Sequence, residues 1–272
     1  MRILRAVVSL AFVVTLAAFL FFYISNVSKA DKTYPEIKIE NEFIDVSLNA
    51  DEKELMKGVT AFDEKDGDIT DKIVIESVSK FMQKGVSLVT YSVCDADNHV
   101  ATETRKINYK NYESPKFYMK ESLVFSTTEH VVLTDYIGAT DVIDGDISDS
   151  LIVTTDDYDS SKDGTYKIAV QAANSKGDTI YLNLPVVVKK DWTNNLHINL
   201  SDYLIYISQG KDIDFNKYVE STTNQANKKI KSNMNIKTDF NKDKPGTYSV
   251  NYYANGSDGS TGHTILTVIV EG

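Results

Sequence analysis

Two acidic loops carry the most evident chemistry in this sequence. Asp63 precedes Asp66-Gly67-Asp68, and Asp141 precedes Asp144-Gly145-Asp146 at the same spacing. Ca²⁺ takes about six to eight oxygen ligands and favours carboxylates. The loops lack the spacing of an EF-hand, but they supply a set of candidate calcium ligands. The set is Asp63, Asp66, Asp68, Asp141, Asp144 and Asp146.

The same residues also suit a purely structural role. Asp side chains accept hydrogen bonds from backbone N–H groups in tight turns, and Gly67 and Gly145 tolerate a positive φ. Ile69 and Ile147 follow the loops and would then point into a core. We favour this interpretation and expect no bound cofactor, with Ca²⁺ as the alternative.

Other reactive side chains form no recognisable catalytic set. The histidines lack metal-binding or general-base spacing, so we expect them at the surface. They are His99, His130, His197 and His263. Cys94 is the only cysteine, which excludes an intrachain disulfide, and we expect it to be buried beside Val93. We assign no catalytic residue and expect that the chain is not an enzyme.

Tyrosine is abundant, with sixteen residues. An exposed tyrosine ring can stack on a sugar or anchor a protein partner. Tyr252 and Tyr253 are adjacent in the last third of the chain and are the candidate binding residues. Alternation along strands would bury about half of the tyrosines, so many are expected to serve a core.

Charge excludes one class of partner. The chain has 29 Lys and Arg residues against 39 Asp and Glu residues, for a net charge of −10. Arginine occurs only at Arg2, Arg5 and Arg105. Because proteins bind phosphate backbones through Lys and Arg, we expect no binding of nucleic acid.

The N-terminal region predicts a membrane segment. Residues 6–24 carry no charge, and as a helix they would extend roughly 28 Å, close to the about 30 Å of a bilayer core. Arg2 and Arg5 precede this run, so the N-terminus is expected to be cytoplasmic and the bulk of the chain extracytoplasmic. We therefore expect a single-pass protein of the cell membrane. The alternative is a signal peptide cleaved after Ala30, which would leave a secreted protein.

An internal repeat organises the remaining chain. The two DGD loops lie 78 residues apart, and Gly85 and Gly164 lie 79 apart. A third copy is recognisable at Pro245-Gly246-Thr247-Tyr248, although Asn224-Gln225-Ala226-Asn227 stands where its acidic loop would fall. The third copy is therefore divergent.

Each copy has the pattern of a small β-sandwich. Short runs rich in β-branched and aromatic residues alternate with turn residues, about seven runs per copy. We predict an all-β chain of tandem immunoglobulin-like β-sandwiches behind an N-terminal transmembrane helix. The predicted divisions are a stub, signal anchor and spacer at 1–30 and three sandwiches at 31–111, 112–190 and 191–272. Trp192 is expected to fill the second junction. The residues predicted to face inward are Ile69, Val89, Ile147, Ile168 and Val250.

These motifs resemble a known family. The residues that carry the resemblance in the first copy are Gly58 to Asp63, Asp66 to Thr70, Lys84-Gly85, Tyr91 to Val93 and Asp95 to Asn98. They look like the bacterial Ig-like repeat family DUF5011, of the type in the pesticidal crystal protein Cry22Aa. The resemblance covers residues 34–190 well and 191–272 less closely. It implies a surface-display or accessory module without catalysis.

The expected function follows from location and architecture together. We expect a non-catalytic, membrane-anchored extracytoplasmic protein that serves as a cell-surface spacer or adhesion-type interaction module. Its partners would be the membrane, through residues 6–24, and a surface protein or glycan. The alternatives are a carbohydrate-binding accessory protein of the cell envelope and a calcium-stiffened adhesin.

Overall fold

The computed structural model describes residues 2–29, 32–155, 157–190 and 196–272. Ala30, the predicted cleavage position, and Trp192 lie outside these ranges. The chain is mostly β-structure, with 49% strand and 15% helix. It divides into two compact units, residues 1–110 and 111–272.

Two α-helices lie in the first unit. Helix α1, Arg2–Lys29, contains a run of 22 residues, Ile3–Ile24, with a mean hydropathy of 2.6. This run is long and apolar enough to cross a membrane, and a signal sequence near an N-terminus passes the same test. Helix α2, Glu52–Leu55, is a single turn whose N-cap, Asp51, accepts a hydrogen bond from the N–H of Glu54 at 2.9 Å.

The described residues of the first unit also form seven strands. They are β1 (Glu36–Ile39), β2 (Phe43–Val46), β3 (Val59–Asp63), β4 (Gly67–Asp68), β5 (Val74–Val78), β6 (Val86–Cys94) and β7 (Val100–Tyr109). A three-stranded sheet has the order β1-β3-β4, and a four-stranded sheet has the order β2-β7-β6-β5. Strand β2 pairs with β7 in parallel, and the other pairs are antiparallel.

The second unit repeats this plan twice. Its first seven strands are β8 (Lys116–Met119), β9 (Val124–Ser126), β10 (Ile137–Asp141), β11 (Gly145–Asp146), β12 (Ile152–Thr155), β13 (Gly164–Ala173) and β14 (Thr179–Lys189). The remaining strands are β15 (Leu196–Leu200), β16 (Leu204–Ser208), β17 (Val219–Asn224), β18 (Ser232–Thr238), β19 (Gly246–Gly256) and β20 (Thr261–Glu271). We refer to β1–β7, β8–β14 and β15–β20 as the first, second and third repeats.

The repeats share one strand topology. The four-stranded sheets are β2-β7-β6-β5, β9-β14-β13-β12 and β16-β20-β19-β18, and in each the early edge strand is parallel to the last strand. The smaller sheets are β1-β3-β4, β8-β10-β11 and β15-β17. Strands β4 and β11 are the Gly-Asp pairs of the acidic loops. The third repeat lacks that motif, and the described strands of its smaller sheet are accordingly two.

Alternation along the strands builds a core between the two sheets of each repeat. All five residues predicted to face inward are buried, which confirms that prediction: Ile69, Val89, Ile147, Ile168 and Val250. In the second repeat, side chains from β8 and β10 join those from β13 and β14 in one hydrophobic cluster. The result is sandwich-like, as expected from the sequence.

The second and third repeats are joined by a continuous apolar seam. Leu204 of β16 is buried in the core cluster of the second repeat, and Tyr203, Tyr206 and Ile269 pack against that cluster. The Tyr206 hydroxyl oxygen accepts a hydrogen bond from the N–H of Phe117 at 2.9 Å. These two repeats therefore form one compact unit and not two independently hinged sandwiches. The predicted sandwich boundaries at residues 112 and 191 stay predictions.

Candidate functional site

The first Asp of each acidic loop closes a turn. Asp63, only 1% exposed, accepts hydrogen bonds through Oδ1 from the N–H groups of Lys65 and Asp66, both at 2.9 Å. Asp141 Oδ1 accepts the same pair of bonds from residues 143 and 144, at 2.9 and 3.0 Å. This is the pattern of an Asx turn, in which the carboxylate replaces a backbone acceptor.

The second Asp of each loop ties it to a neighbouring hairpin. Asp66 Oδ2 accepts the N–H of Ala96 at 2.7 Å. Asp144 Oδ2 accepts the N–H of Ser175 at 2.6 Å, and its Oδ1 accepts the Ser175 hydroxyl at 2.8 Å. Ala96 and Ser175 lie at equivalent positions in the turns of the two hairpins. The same contact between acidic loop and hairpin therefore occurs in both repeats.

The third Asp of each loop holds the short turn that follows. Asp68 Oδ1 accepts the N–H of Thr70 at 3.0 Å, and Asp146 Oδ1 accepts the N–H of Ser148 at 2.9 Å. Hydrogen bonds from Thr70 lower the pKa of the Asp68 carboxyl, and hydrogen bonds from Ser148 lower the pKa of Asp146. Both carboxylates are therefore stabilised in their ionised form by the chain itself.

The divergent third repeat closes a turn at the corresponding strand end without a charge. Asn224 ends β17 as Asp63 ends β3, and its Oδ1 accepts the N–H groups of Ala226 and Lys228, both at 3.0 Å. Lys228 is four residues after Asn224, whereas Asp66 is three residues after Asp63, so the amide oxygen closes a related but wider turn. Within the described residues, no group of three or more Asp, Glu, His or Cys side chains is placed to hold a metal ion. The hydrogen bonds of the loop carboxylates go to the chain itself.

One position differs between the first two repeats. Asn174 Nδ2 donates to Asp141 Oδ2 at 3.0 Å and to the Tyr112 hydroxyl oxygen at 2.8 Å. Asp95 occupies the same place in the first repeat, where an amide donor is missing, and Asp63 Oδ2 has no hydrogen-bond partner within the described residues. The sequence alone does not distinguish these two arrangements, because both segments have the composition of a polar turn.

The buried carboxylate of Asp95 is stabilised by a neighbouring histidine. Its Oδ2 lies 2.7 Å from His99 Nδ1, and its Oδ1 accepts the N–H groups of Asp97 and His99 at 2.9 and 2.7 Å. Burial opposes ionisation of Asp95, but these hydrogen bonds outweigh it and lower the pKa of the carboxyl. The second repeat has Asp178 at the position of His99. An aspartate in place of Asn174 would therefore have no histidine beside it to stabilise its charge.

Asn174→Asp is therefore expected to destabilise the second unit by about 3 kcal/mol at pH 7. The change removes the amide donor and places a new carboxylate beside Asp141 and Asp178. This crowding favours protonated carboxyl groups more in the folded state than in the unfolded state, so the loss shrinks as pH falls from neutral towards about 4. Urea titrations followed by hydrogen exchange of second-unit peptides, at neutral and acidic pH, measure the effect.

Asn224→Asp is the matched control for that variant. Its described hydrogen bonds use only Oδ1, which an aspartate retains. We expect a change of less than about 0.5 kcal/mol. Equal losses in the two variants would contradict the assigned role of the Asn174 amide.

Tyr252 does not present a binding surface. Its side chain is fully buried, and its hydroxyl donates to the Phe215 carbonyl at 2.9 Å. Burial raises the pKa of this phenol. The residue alternates inward with Val250 on β19, so the candidate role in binding that the sequence suggested for Tyr252 is replaced by a role in the core.

Tyr253 faces the other way and is half-buried in a cluster of aromatic and basic groups. Its ring stacks on His263, with ring centroids 4.4 Å apart and planes 3° from parallel. Lys189 Nζ and Lys237 Nζ lie 5.5 and 5.6 Å from the centroid of the Tyr253 ring. His263 itself is only 4% exposed, which corrects the expectation that all four histidines lie at the surface.

Cys94 is exposed, contrary to the expectation from its sequence neighbours. Val93 points into the core and is 1% exposed. Since successive side chains of a strand point to opposite faces, the residue beside a buried valine is directed outward. Cys94 thus provides a single accessible thiol for labelling.

Sequence reasoning missed a polar groove in the second unit. The groove has a volume of about 430 Å³. Residues that line it include Glu121, Glu129, Tyr136, His197, Asn199 and Tyr203. They come from the second and third repeats and share no motif, so the groove becomes visible only when the seam is assembled.

Comparisons with known proteins place the chain near two larger relatives. No family model matches it. It is 33% identical over 136 residues to an uncharacterised 81.3 kDa protein of Acholeplasma phage L2, a match covering 48% of this chain and 18% of that protein. It is 25% identical over 188 residues to the pesticidal crystal protein Cry22Aa of Bacillus thuringiensis, covering 66% of this chain and 26% of that protein. The matches thus span about a quarter or less of these curated relatives.

Two solved structures illustrate the structural neighbours. CBM51-2 in complex with GlcNAc and the INT domains of Clostridium perfringens ZmpB is 19% identical with a TM-score of 0.23, covering 58% of this chain and 42% of that chain. Drosophila N-cadherin EC1-3 is 14% identical with a TM-score of 0.30, covering 89% of this chain and 90% of that chain. Similarity at this level assigns neither a ligand nor an activity to this chain.

Proposed function

We propose that this chain is a non-catalytic, membrane-anchored extracytoplasmic protein that presents an interaction surface on tandem immunoglobulin-like sandwiches. The observation that carries the proposal is that one strand topology recurs three times, after the one helix of the described residues that is apolar and long enough to cross a membrane. A repeated sandwich provides length and surface, which are the properties that a spacer or adhesion-type module needs.

The chemistry of the acidic turns supports the non-catalytic part of the proposal. Each candidate carboxylate of the two loops accepts backbone hydrogen bonds that hold a turn or fasten a hairpin. In this proposal the chain needs no cofactor. The similarity to part of Cry22Aa and the DUF5011-like motifs support the Ig-like assignment.

The orientation in the membrane follows from the charges beside the apolar run. Arg2 and Arg5 lie on its N-terminal side, which favours a cytoplasmic N-terminus. The sandwiches then lie outside, where the partner is a surface protein or a glycan. Cleavage after Ala30 would release the same sandwiches as a secreted protein.

Labelling of Cys94 tests this orientation. In intact bacterial cells that express the chain, a membrane-impermeant maleimide is expected to label Cys94, because the thiol is exposed and extracytoplasmic. The matched control combines Cys94→Ser with Leu4→Cys, which moves the thiol to the cytoplasmic side and should be labelled only after lysis. Labelling of Cys94 only after lysis would overturn the proposed location, and the mass of the labelled chain separates an anchored from a cleaved form.

A further inference from the structure

The groove at the seam of the second unit has walls from both of its repeats. Glu121 and Glu129 flank β9 on the side of the second repeat. His197 and Asn199 lie on β15 of the third repeat, and Tyr203 precedes β16. The outward residues of β15 therefore face a surface of the neighbouring sandwich across the groove.

The seam makes this groove a preformed feature of the second unit. Leu204 lies in the core cluster of the second repeat, so β16 of the third repeat is held against it. The hydrogen bond from the Phe117 N–H to the Tyr206 hydroxyl oxygen adds a directional contact at 2.9 Å. Walls fixed in this way reduce the ordering cost of binding a ligand.

The groove offers hydrogen-bond acceptors. Within the described residues, the carboxylates of Glu121 and Glu129 make no hydrogen bond or ion pair. Asn199 donates through Nδ2 to Ser221 Oγ at 3.1 Å and to Thr223 Oγ1 at 3.3 Å, which leaves its Oδ1 as an acceptor. A ligand that fits this lining must bring donors, since ionised carboxylates only accept.

The charged side chains of the lining are the two carboxylates, while Lys189 lies outside the lining near His263. Burial raises the pKa of Tyr136, and the nearby charges of Glu121 and Glu129 raise it further. Burial also raises the pKa of Tyr203, again with a contribution from Glu121. The described lining contains neither Lys nor Arg. Phosphorylated and carboxylated ligands are therefore disfavoured.

We infer that this groove binds a neutral oligosaccharide. Sugar hydroxyls supply the donors that the carboxylates and the Asn199 amide oxygen require, and the tyrosine side chains supply apolar contact area. The volume of about 430 Å³ falls within the about 300–1,000 Å³ of small-molecule sites, which is more than a lone ammonium group needs. The inference rests on the proposed function as an interaction module and names its ligand class.

Calorimetric titration of the full chain with neutral tetrasaccharides tests the inference. The probes are the tetrasaccharides of glucose, galactose, mannose and N-acetylglucosamine, in a detergent without a sugar head group. At least one is expected to bind with an affinity that does not change between low and high NaCl. Glu121→Gln combined with Glu129→Gln should weaken that binding about tenfold, since each carboxylate loses charge-assisted hydrogen bonds.

Glu76→Gln is the matched control, because Glu76 is an exposed glutamate of the first unit. The Glu76→Gln variant should bind the sugar as the wild type does. Unfolding curves that match the wild type would show that the groove variants fold. Absence of binding by all four probes, or full binding by the double variant, would overturn the inference. So would salt-sensitive binding of spermidine in place of the sugars. Extracytoplasmic labelling of Cys94 without sugar binding would leave the proposed function standing and remove only the groove assignment.

Discussion

Arg105→Ala is expected to lower the free energy of unfolding of the first unit by about 4 kcal/mol. Arg105 is 1% exposed, and its Nη1 donates to the Lys57 carbonyl at 2.7 Å. Its Nη2 donates to the Leu55 carbonyl and to the Tyr91 hydroxyl oxygen. Truncation would leave a cavity and remove the donor to the Lys57 carbonyl, whereas the Leu55 carbonyl would keep the Tyr91 hydroxyl as a donor. Urea unfolding followed by hydrogen exchange of first-unit peptides measures the loss.

Arg105→Leu is the informative control because the other repeats contain leucine at this position. Arg105 pairs with Val89 across the sheet, as Leu184 pairs with Ile168 and Leu266 with Val250. Leucine fills much of the volume but donates no hydrogen bond, so we expect a loss of about 2 kcal/mol. A loss below about 1 kcal/mol for the alanine variant would show that the guanidinium does not hold α2 against the core.

Acidification is expected to destabilise the second unit through His263 by about 3 kcal/mol between pH 7 and pH 4. Burial, with a smaller contribution from the nearby Lys189, lowers the pKa of His263 to about 4. The ring also stacks on Tyr253, and its Nε2 lies 3.0 Å from Asn251 Oδ1. In the unfolded chain the imidazole recovers its ordinary pKa near 6.5. The unfolded state therefore binds the extra proton first, and stability falls as pH drops from about 6.5 towards 4.

His263→Gln should remove most of this pH dependence. His197→Gln is the matched control, because His197 is exposed and its loss should leave the pH profile of the wild type. Unfolding midpoints of second-unit peptides at several pH values provide the comparison. A profile for His263→Gln that still falls by the full amount would assign the acid sensitivity to other groups.

Much of the fold was predictable because strand alternation and turn chemistry are local properties. Val89, Ile168 and Val250 follow from a period of two, and Ile69 and Ile147 follow from their place after the acidic loops. The Asp-Gly-Asp loops follow from the needs of a turn, and the structure places their carboxylates on backbone N–H groups. The strand topology recurs wherever these local signals recur, and the sequences of the first two repeats contain the signals most completely.

The remaining features depend on partners that are distant in the chain. The burial of Arg105 depends on carbonyls about 50 residues away, and the pKa of His263 responds to Lys189 of the preceding repeat. An arginine or a histidine in an alternating strand does not indicate from sequence which distant residue it will contact. The groove shows the same limit, since Glu121 and Asn199 belong to different sandwiches.

The central claim is that the acidic turns serve the fold, so that function resides in the surfaces the sandwiches present. Calorimetric titration of the full chain with CaCl2, paired with thermal unfolding, tests this claim most directly. We predict no saturable heat and no change in the unfolding temperature of either unit, because the turn carboxylates already accept hydrogen bonds from the chain. Saturable binding with a rise in unfolding temperature that Asp63→Asn abolishes would contradict the account and favour a calcium-stiffened adhesin.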